Sequence, residues 1–470
     1  MRCNPVALLL RPTGTMRLLL LIGWLAFAAE AAALPSDGEI QRIIEERVQA
    51  IAGPEGGMGI VVGVLDEKGP RVIAYGDTGG ADRRPLTGQT VFEIGSVTKV
   101  FTALLLADMV RTRDMKLTDP AAKYLPKGTK LPERDGRVIT LVDLATHTSG
   151  LPFMPDNLGS PQSTEDLYRF IAAQTLAHDI GSEWDYSNLD YWLLQEAIAA
   201  RSRADFEQVM QKRVIGPLGL HSTAITLSPE LQARLAIGHD ATLQPAPLIA
   251  SLPVFNLMQG AGGMLSTADD LLKFLGVAMD YEDSKLEPSM ARLLQTRRPA
   301  GKNEQALGWL VTGAGAEAIV FHDGGTFGSS SALAWQPQKR RGVVVLMNQV
   351  GNVGDIARHL LQPSLPLEQP VRARHTEITL DAATLDSYAG RYELQDEGVS
   401  TIGRDGALLT IELPASWGLP TLKLHAEGQR EFFATELPLR VKFEADANNR
   451  VTTMIVYPPR GQRPLSWVRL

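Results

Sequence analysis

Ser96 and Lys99 stand three residues apart in the string Ile94-Gly95-Ser96-Val97-Thr98-Lys99. At the start of a helix, positions i and i+3 share a face, so the Ser96 hydroxyl and the Lys99 amine would lie side by side. A neighbouring lysine helps to deprotonate a serine or stabilises its alkoxide, provided that desolvation or a second cation lowers the lysine pKa. The positive end of the helix would add to this where an oxyanion develops. The same spacing also describes a serine cap followed by a solvated lysine. The surroundings weigh against that reading, because residues 97–113 are so apolar that Lys99 is drawn towards the core, which needs a reason.

Two further groups carry the right chemistry. In Tyr186-Ser187-Asn188, a phenolate held near ammonium groups would serve as general base, and the Asn188 amide would orient Lys99 or hold a substrate carbonyl. By itself the tripeptide also reads as a turn with an asparagine cap before a helix starting near Leu189. In His322-Asp323-Gly324-Gly325, glycines at a strand end let a substrate backbone come close, and the Gly325 N–H would pair with that of Ser96 as an oxyanion hole. By itself that string is a strand ending in a glycine-rich turn. Other hydrolytic chemistries lack their residues. No G-x-S-x-G occurs, Gly328-Ser329-Ser330-Ser331-Ala332 being the nearest string. The eight histidines include no H-E-x-x-H and no close pair, so no metal centre is expected. His147 reads as a structural residue buried under the site.

These residues need elements to position them. Ile40, Ile43, Ile44, Val48 and Ile51 give a helix over 37–52. Residues 58–65 and 71–75 flank a turn at 66–70 and read as a hairpin. The apolar run 97–113 predicts a helix opening at Ser96, followed by helices at 141–146, 165–176, 189–200, 206–214 and 268–279. Strand patterns return at 318–322, 331–336 and 342–347, with a closing helix at 355–361. This order makes an α+β fold, a sheet assembled from both chain ends with a helical region inserted between them. Pro363, Pro366 and Pro370 mark residues 362–377 as a linker. Beyond it, short β-like runs at 401–404, 408–413, 431–434, 441–444 and 451–457 predict a small all-β, barrel-like domain over 378–470.

Taken in order, these elements resemble the penicillin-recognising serine hydrolases, in the branch of class C β-lactamases, D-Ala-D-Ala carboxypeptidase/endopeptidases, D-aminopeptidases and related esterases. Phe92-Glu93-Ile94-Gly95-Ser96-Val97-Thr98-Lys99-Val100-Phe101-Thr102 looks like that family's nucleophile region. Leu144-Ala145-Thr146-His147-Thr148-Ser149-Gly150-Leu151-Pro152 and Gly262-Gly263-Met264-Leu265-Ser266-Thr267-Ala268-Asp269-Asp270-Leu271 are similar to two more of its landmarks. The resemblance covers about residues 36–360. It implies a β-lactamase/transpeptidase-like sheet flanked by helices over 34–361. It implies that Ser96 is acylated, that Lys99 and Tyr186 share its proton, and that Asn188, His322, Gly324 and Gly325 meet the substrate. His322 takes the place that many members fill with lysine. A histidine is only partly charged at neutral pH, which weakens the case for efficient β-lactam turnover. Tyr388-Ala389-Gly390-Arg391-Tyr392-Glu393 looks like the small β-domain appended to several such hydrolases.

The implied activity is hydrolysis of D-Ala-containing cell-wall peptides or β-lactams through an acyl-enzyme, without a cofactor. A small-ester carboxylesterase is the enzymatic alternative, and a non-catalytic sensor keeping the fold is the rival of another class. A pure binder would not need Ser96, Lys99, Tyr186 and Asn188 together. Composition sets further bounds. Two or three domains are expected for 470 residues, and a hydrophobic share of 44% supports a sizeable core. The net charge of −7 gives no footprint for nucleic acid. Arg17 precedes an apolar run over 18–29, and Ala31-Ala32-Ala33 offers a cleavage site, so residues 1–33 are expected to be an export signal and the mature protein periplasmic or secreted. Membrane contact is expected only through an uncleaved leader. Cys3 is the only cysteine and lies in that leader, so neither disulfides nor a cysteine nucleophile are expected.

Overall fold

The computed structural model describes residues 34–53, 56–155, 163–368, 377–394, 398–414, 421–434, 439–446, 448–457 and 465–470. The expected leader lies outside the described residues, as does the middle of the expected linker, 369–376.

A twisted antiparallel sheet organises the catalytic half. Its strands are β1 (Gly59–Asp66), β2 (Gly69–Gly76), β3 (Arg298–Ala300), β4 (Asn303–Gln305), β5 (Leu310–Thr312), β6 (Ile319–Gly325), β7 (Ser330–Gln336) and β8 (Arg341–Met347), in the spatial order β2-β1-β8-β7-β6-β5-β4-β3. The hairpin near the N-terminus thus joins strands from beyond residue 298, with β1 against β8 in the register Ile60↔Met347. The three short strands β3–β5 escaped the sequence reading, because at three residues each they are too brief to show a period.

Both faces of the sheet are covered, so its inner strands are apolar without alternation. On one face, Ile60, Val62, Val64, Phe321 and Val345 pack with helices α1 (Asp37–Ala52) and α7 (Gly354–Leu361). On the other, Val61, Val320, Leu333 and Val344 pack with the inserted helical region. That region contains α2 (Thr98–Arg111), α3 (Leu141–Ala145), α4 (Thr164–Ala172), α5 (Asn188–Ser202) and α6 (Ala268–Ala278). Helix α4 stops at Ala172, four residues short of the expected end. The expected helix 206–214 is broken into Phe206–Met210, a π turn over Gln211–Ile215 and a short stretch over Gly216–Leu218. Arg47 of α1 and Asp355 of α7 form a buried ion pair that also holds the backbone of Glu368, so the first part of the expected linker is tied to the domain.

The C-terminal region is a closed barrel of eight antiparallel strands: β9 (Gly390–Leu394), β10 (Gly398–Asp405), β11 (Leu408–Glu412), β12 (Leu422–Ala426), β13 (Glu431–Ala434), β14 (Arg440–Ala445), β15 (Val451–Tyr457) and β16 (Leu465–Arg469). Closure of β9 on β16 removes the open edges that a free sheet would expose. Its interior is filled by Tyr392, Leu409, Phe432, Phe443, Met454 and Trp467, so it is a packed core and not a channel. This core shares no residue with the two that sandwich the catalytic sheet. Phe443→Ala should therefore lower barrel stability by about 3–5 kcal/mol. Reactivity at Ser96 should stay within about twofold, measured as a separate melting transition beside an activity assay.

Candidate active site

Ser96 sits in a 3₁₀ turn over Gly95–Val97 that runs directly into α2. The turn places Lys99 one turn along, on the side facing away from solvent. Lys99 is 0% exposed, and its Nζ has three partners: Ser96 Oγ at 3.0 Å, Asn188 Oδ1 at 2.7 Å and the Ala261 carbonyl at 2.6 Å. Burial pushes the Lys99 pKa well below its ordinary value. The partner set then dictates what the amine does. Carbonyl oxygens only accept, so a neutral amine gives its two N–H groups to Asn188 and Ala261. Its lone pair is left facing the Ser96 hydroxyl, which is the geometry of a general base.

Tyr186 approaches the same hydroxyl from the other side and hydrogen-bonds the Ser96 side chain. Lys99 Nζ lies 4.9 Å from the centre of its ring. Burial drives the phenol pKa upward, so Tyr186 stays protonated through neutral pH. A phenol in this place would relay a proton, where a phenolate was expected, and Lys99 would be the group with a free lone pair. The segment carrying Tyr186 is fixed by its neighbours. Ser187, not Asn188, caps α5, accepting from Asp190 N at 3.3 Å and donating to the Pro152 carbonyl at 2.7 Å. Asn188 N–H donates to the Phe153 carbonyl at 3.0 Å.

His147 lies beneath, 1% exposed, with its ring 4.4 Å from Tyr186 and 5.1 Å from Tyr191. Its Nδ1 faces Ser187 N–H and Asp190 Oδ2, each at 3.2 Å. An amide N–H can only donate, so Nδ1 accepts, and the Asp190 carboxyl must hold a proton to share that nitrogen. Burial raises the Asp190 pKa and lowers that of His147 in the same sense. Asp190 was missed by sequence reading. Its one signal is that it stands in the first turn of α5, four residues after Tyr186.

Strand β6 closes the remaining side. Gly95 has φ +48, and a Cβ there would lie 2.7 Å from Gly325 N. A Cβ on Gly324 would lie 2.1 Å from the Ile94 carbonyl and 3.1 Å from Ser96 N. The glycines thus let β6 run flush against the nucleophile turn, which brings the Ser96 and Gly325 amides to one seam. Glu93, also unforeseen, secures this seam: its carboxylate accepts from Ile249 N at 2.6 Å and from Thr326 Oγ1 at 2.9 Å.

Alternation along β6 turns His322 to the site face and Asp323 to the opposite one, where Arg358 of α7 holds it at 2.9 Å. His322 departs from the expectation of partial charge. Its Nδ1–H donates to the Asp323 carbonyl at 2.7 Å, and burial pushes its pKa down to about 3. It is a neutral ring whose Nε2 is left as an acceptor. The described residues contain no cluster of three or more potential metal ligands.

The profile of the family described as Beta-lactamase matches residues 40–362, spanning the sheet, the helical insert and every site residue above. The chain belongs to the beta-lactamase family. It is a serine hydrolase of that family, and its C-terminal barrel matches a domain of unknown function, DUF3471, over residues 374–466. The D-alanyl-D-alanine-carboxypeptidase/endopeptidase AmpH of Escherichia coli (strain K12) is 28% identical over 329 residues, covering 65% of this chain and 83% of that protein. A beta-lactamase of the same organism is 28% identical over 366 residues, covering 69% and 93%. The solved D-alanine carboxypeptidase AmpC from Burkholderia cenocepacia superposes with a TM-score of 0.61 at 25% identity, covering 70% of this chain and 100% of that one. A class C beta-lactamase structure shares the fold, with a TM-score of 0.62 at 20% identity and coverage of 72% and 99%.

Lys99→Ala and Tyr186→Phe should each lower kcat/KM by about 10²–10⁴. Both act on one proton, so the double variant should be little worse than the poorer single one. Losses that multiply would show that the two act separately. With the neutral Lys99 amine as base, activity should fall as pH drops through its lowered pKa. In a pH–kcat/KM profile that acid limb should lie well below the range of ordinary lysines.

Proposed function

We propose that this hydrolase works through a covalent acyl-enzyme on Ser96, which water then hydrolyses. The observation that carries the reading is the buried Lys99 amine, whose two carbonyl partners leave its lone pair to the Ser96 hydroxyl. Tyr186 would pass the proton to the leaving group, and the N–H groups of Ser96 and Gly325 would stabilise the oxyanion. The names of its relatives support D-Ala-containing peptides and β-lactams as substrates. The neutral His322 favours a second reading, an uncharged ester, because no fixed cation stands where a substrate carboxylate would be held. The apolar run over 18–29 and the small residues at 31–33 support export, with residues 1–33 removed.

Fluorescent penicillin and an active-site fluorophosphonate offer direct tests. Wild-type protein should be labelled at Ser96 by the fluorophosphonate, and Ser96→Ala should take no label while keeping its melting temperature. Label on the alanine variant, or turnover near the wild-type rate, would sink the proposal.

His322 gives a separate pH test. Its pKa of about 3 predicts no loss of charge between pH 5 and 8. The ratio of kcat/KM for a carboxylate-bearing substrate to that for its neutral methyl ester should be flat over this window. His322→Lys should raise the ratio by bringing in a cation. A wild-type ratio that falls steeply near pH 6.5 would mean that the imidazole is charged after all.

A further inference from the structure

Among the described residues, the large apolar side chains that stay more than a third exposed include two phenylalanines, Phe153 at 52% and Phe327 at 37%. Both border the active site, and neither is on a loose end. Phe153 gives its carbonyl to Asn188 N–H and sets its ring 6.2 Å from that of Tyr186. Phe327 lies two residues beyond Gly325, in a turn closed by Thr326 N–H to the Ser329 carbonyl at 2.9 Å and anchored through Thr326 to Glu93. Phe255 packs edge-on against it with ring centres 5.5 Å apart. Two aromatic rings thus stand in solvent on backbones pinned by the catalytic segments themselves. A single exposed apolar residue needs no explanation, but two on the segments that carry Tyr186 and Gly325 do.

The chemistry assigns a side to each. The leaving group must receive its proton from the Lys99–Tyr186 pair, so it departs on the side of Tyr186, where Phe153 stands. The acyl portion then extends the other way, past Gly325 towards Phe327 and Phe255. The polar groups fit a substrate without charge. The Lys99 amine spends its two N–H groups on Asn188 and Ala261, His322 Nδ1–H is spent on the Asp323 carbonyl, and Arg358 is paired with Asp323 on the opposite face of β6.

We propose that Phe153 and Phe327 form the leaving-group and acyl subsites for an uncharged ester that is apolar on both sides of the scissile bond. This rests on acylation at Ser96 and decides between the substrate classes named above. In the reaction, a bond forms between Ser96 Oγ and the acyl carbon while the ester C–O bond breaks. The Ser96 proton travels by way of Lys99 and Tyr186 to the departing alcohol. Water then adds to the acyl carbon, the bond to Oγ breaks, a carboxylic acid leaves and Ser96 regains its proton.

The test uses the whole purified protein with p-nitrophenyl acetate, butyrate and octanoate, and with phenyl acetate beside 4-acetoxybenzoate. In the wild type, kcat/KM should rise at least about tenfold from acetate to octanoate, the order of discrimination an apolar pocket gives. Phenyl acetate should be cleaved at least tenfold better than 4-acetoxybenzoate, which carries a carboxylate on the leaving side. Phe327→Ser should flatten the acyl series, and Phe153→Ser should lower kcat/KM for aryl esters about tenfold while leaving the slope of the acyl series in place. Circular dichroism and melting curves show that the variants are folded. A flat wild-type series, or a steep one that Phe327→Ser does not change, overturns the subsite proposal, as does equal or better turnover of the carboxylate ester. Failure of the underlying reading looks different: every ester would then be turned over equally by wild type and Ser96→Ala.

Discussion

The Lys99 amine lies in the apolar interior beside Ser96, and the catalytic half of the molecule is arranged around keeping it there. Taking an ammonium out of water costs several kcal/mol even after relaxation, so the group either finds strong partners or gives up its proton. Here it does both. Asn188 on α5 and the Ala261 carbonyl take its N–H groups, and the direction of its pKa is towards the neutral amine. Each partner comes from a different element, so the basicity of Lys99 depends on the packing of α2 against α5 and against the short helix Gln259–Gly262. The same burial keeps Tyr186 a phenol and Asp190 a carboxylic acid. Burial thus pushes Lys99, Tyr186 and Asp190 in one sense, towards their neutral forms.

A second constraint is steric. The turn holding Ser96 and the end of β6 approach so closely that Gly95 and Gly324 have no room for a Cβ. Sheet and helical insert come from distant parts of the chain, and this seam is where they meet at the nucleophile. Glu93 and Ser331 reinforce it from either side, through Thr326 and the Ile94 carbonyl. A misplacement of about 1 Å between an oxyanion donor and the reacting carbon costs roughly 10² in rate, so a seam defined by backbone contact is a suitable place for these donors.

The position of His322 shows how one substitution alters a site without disturbing its frame. A lysine there would bring a permanent charge to the face where Tyr186 releases its proton. The imidazole is locked by the Asp323 carbonyl and kept neutral by burial, so it offers a lone pair instead. Phe153 and Phe327 add exposed aromatic surface on the segments next to it.

Much of this was legible in the residues themselves. The i, i+3 spacing of Ser96 and Lys99, the apolar run that follows, and the short strings around Tyr186 and His322 mark candidates that the family resemblance then gives roles, and the fold brings Ser96, Lys99, Tyr186 and Asn188 into contact. The order and patterning of the runs gave the sheet built from both chain ends, the inserted helices and the barrel-like domain, while helices on both faces of the sheet were implied by the family resemblance. Tertiary structure decided the rest. The Ala261 carbonyl carries no side-chain signal, and Asp190 and Glu93 read as ordinary acidic residues until the fold buries them. The protonation states of Lys99, Tyr186 and His322 follow from desolvation, which depends on what packs around a group and not on its neighbours in sequence. Phe153 and Phe327, 174 positions apart, likewise come to border one site only through the fold, Phe153 beside Tyr186 and Phe327 in the turn after Gly325.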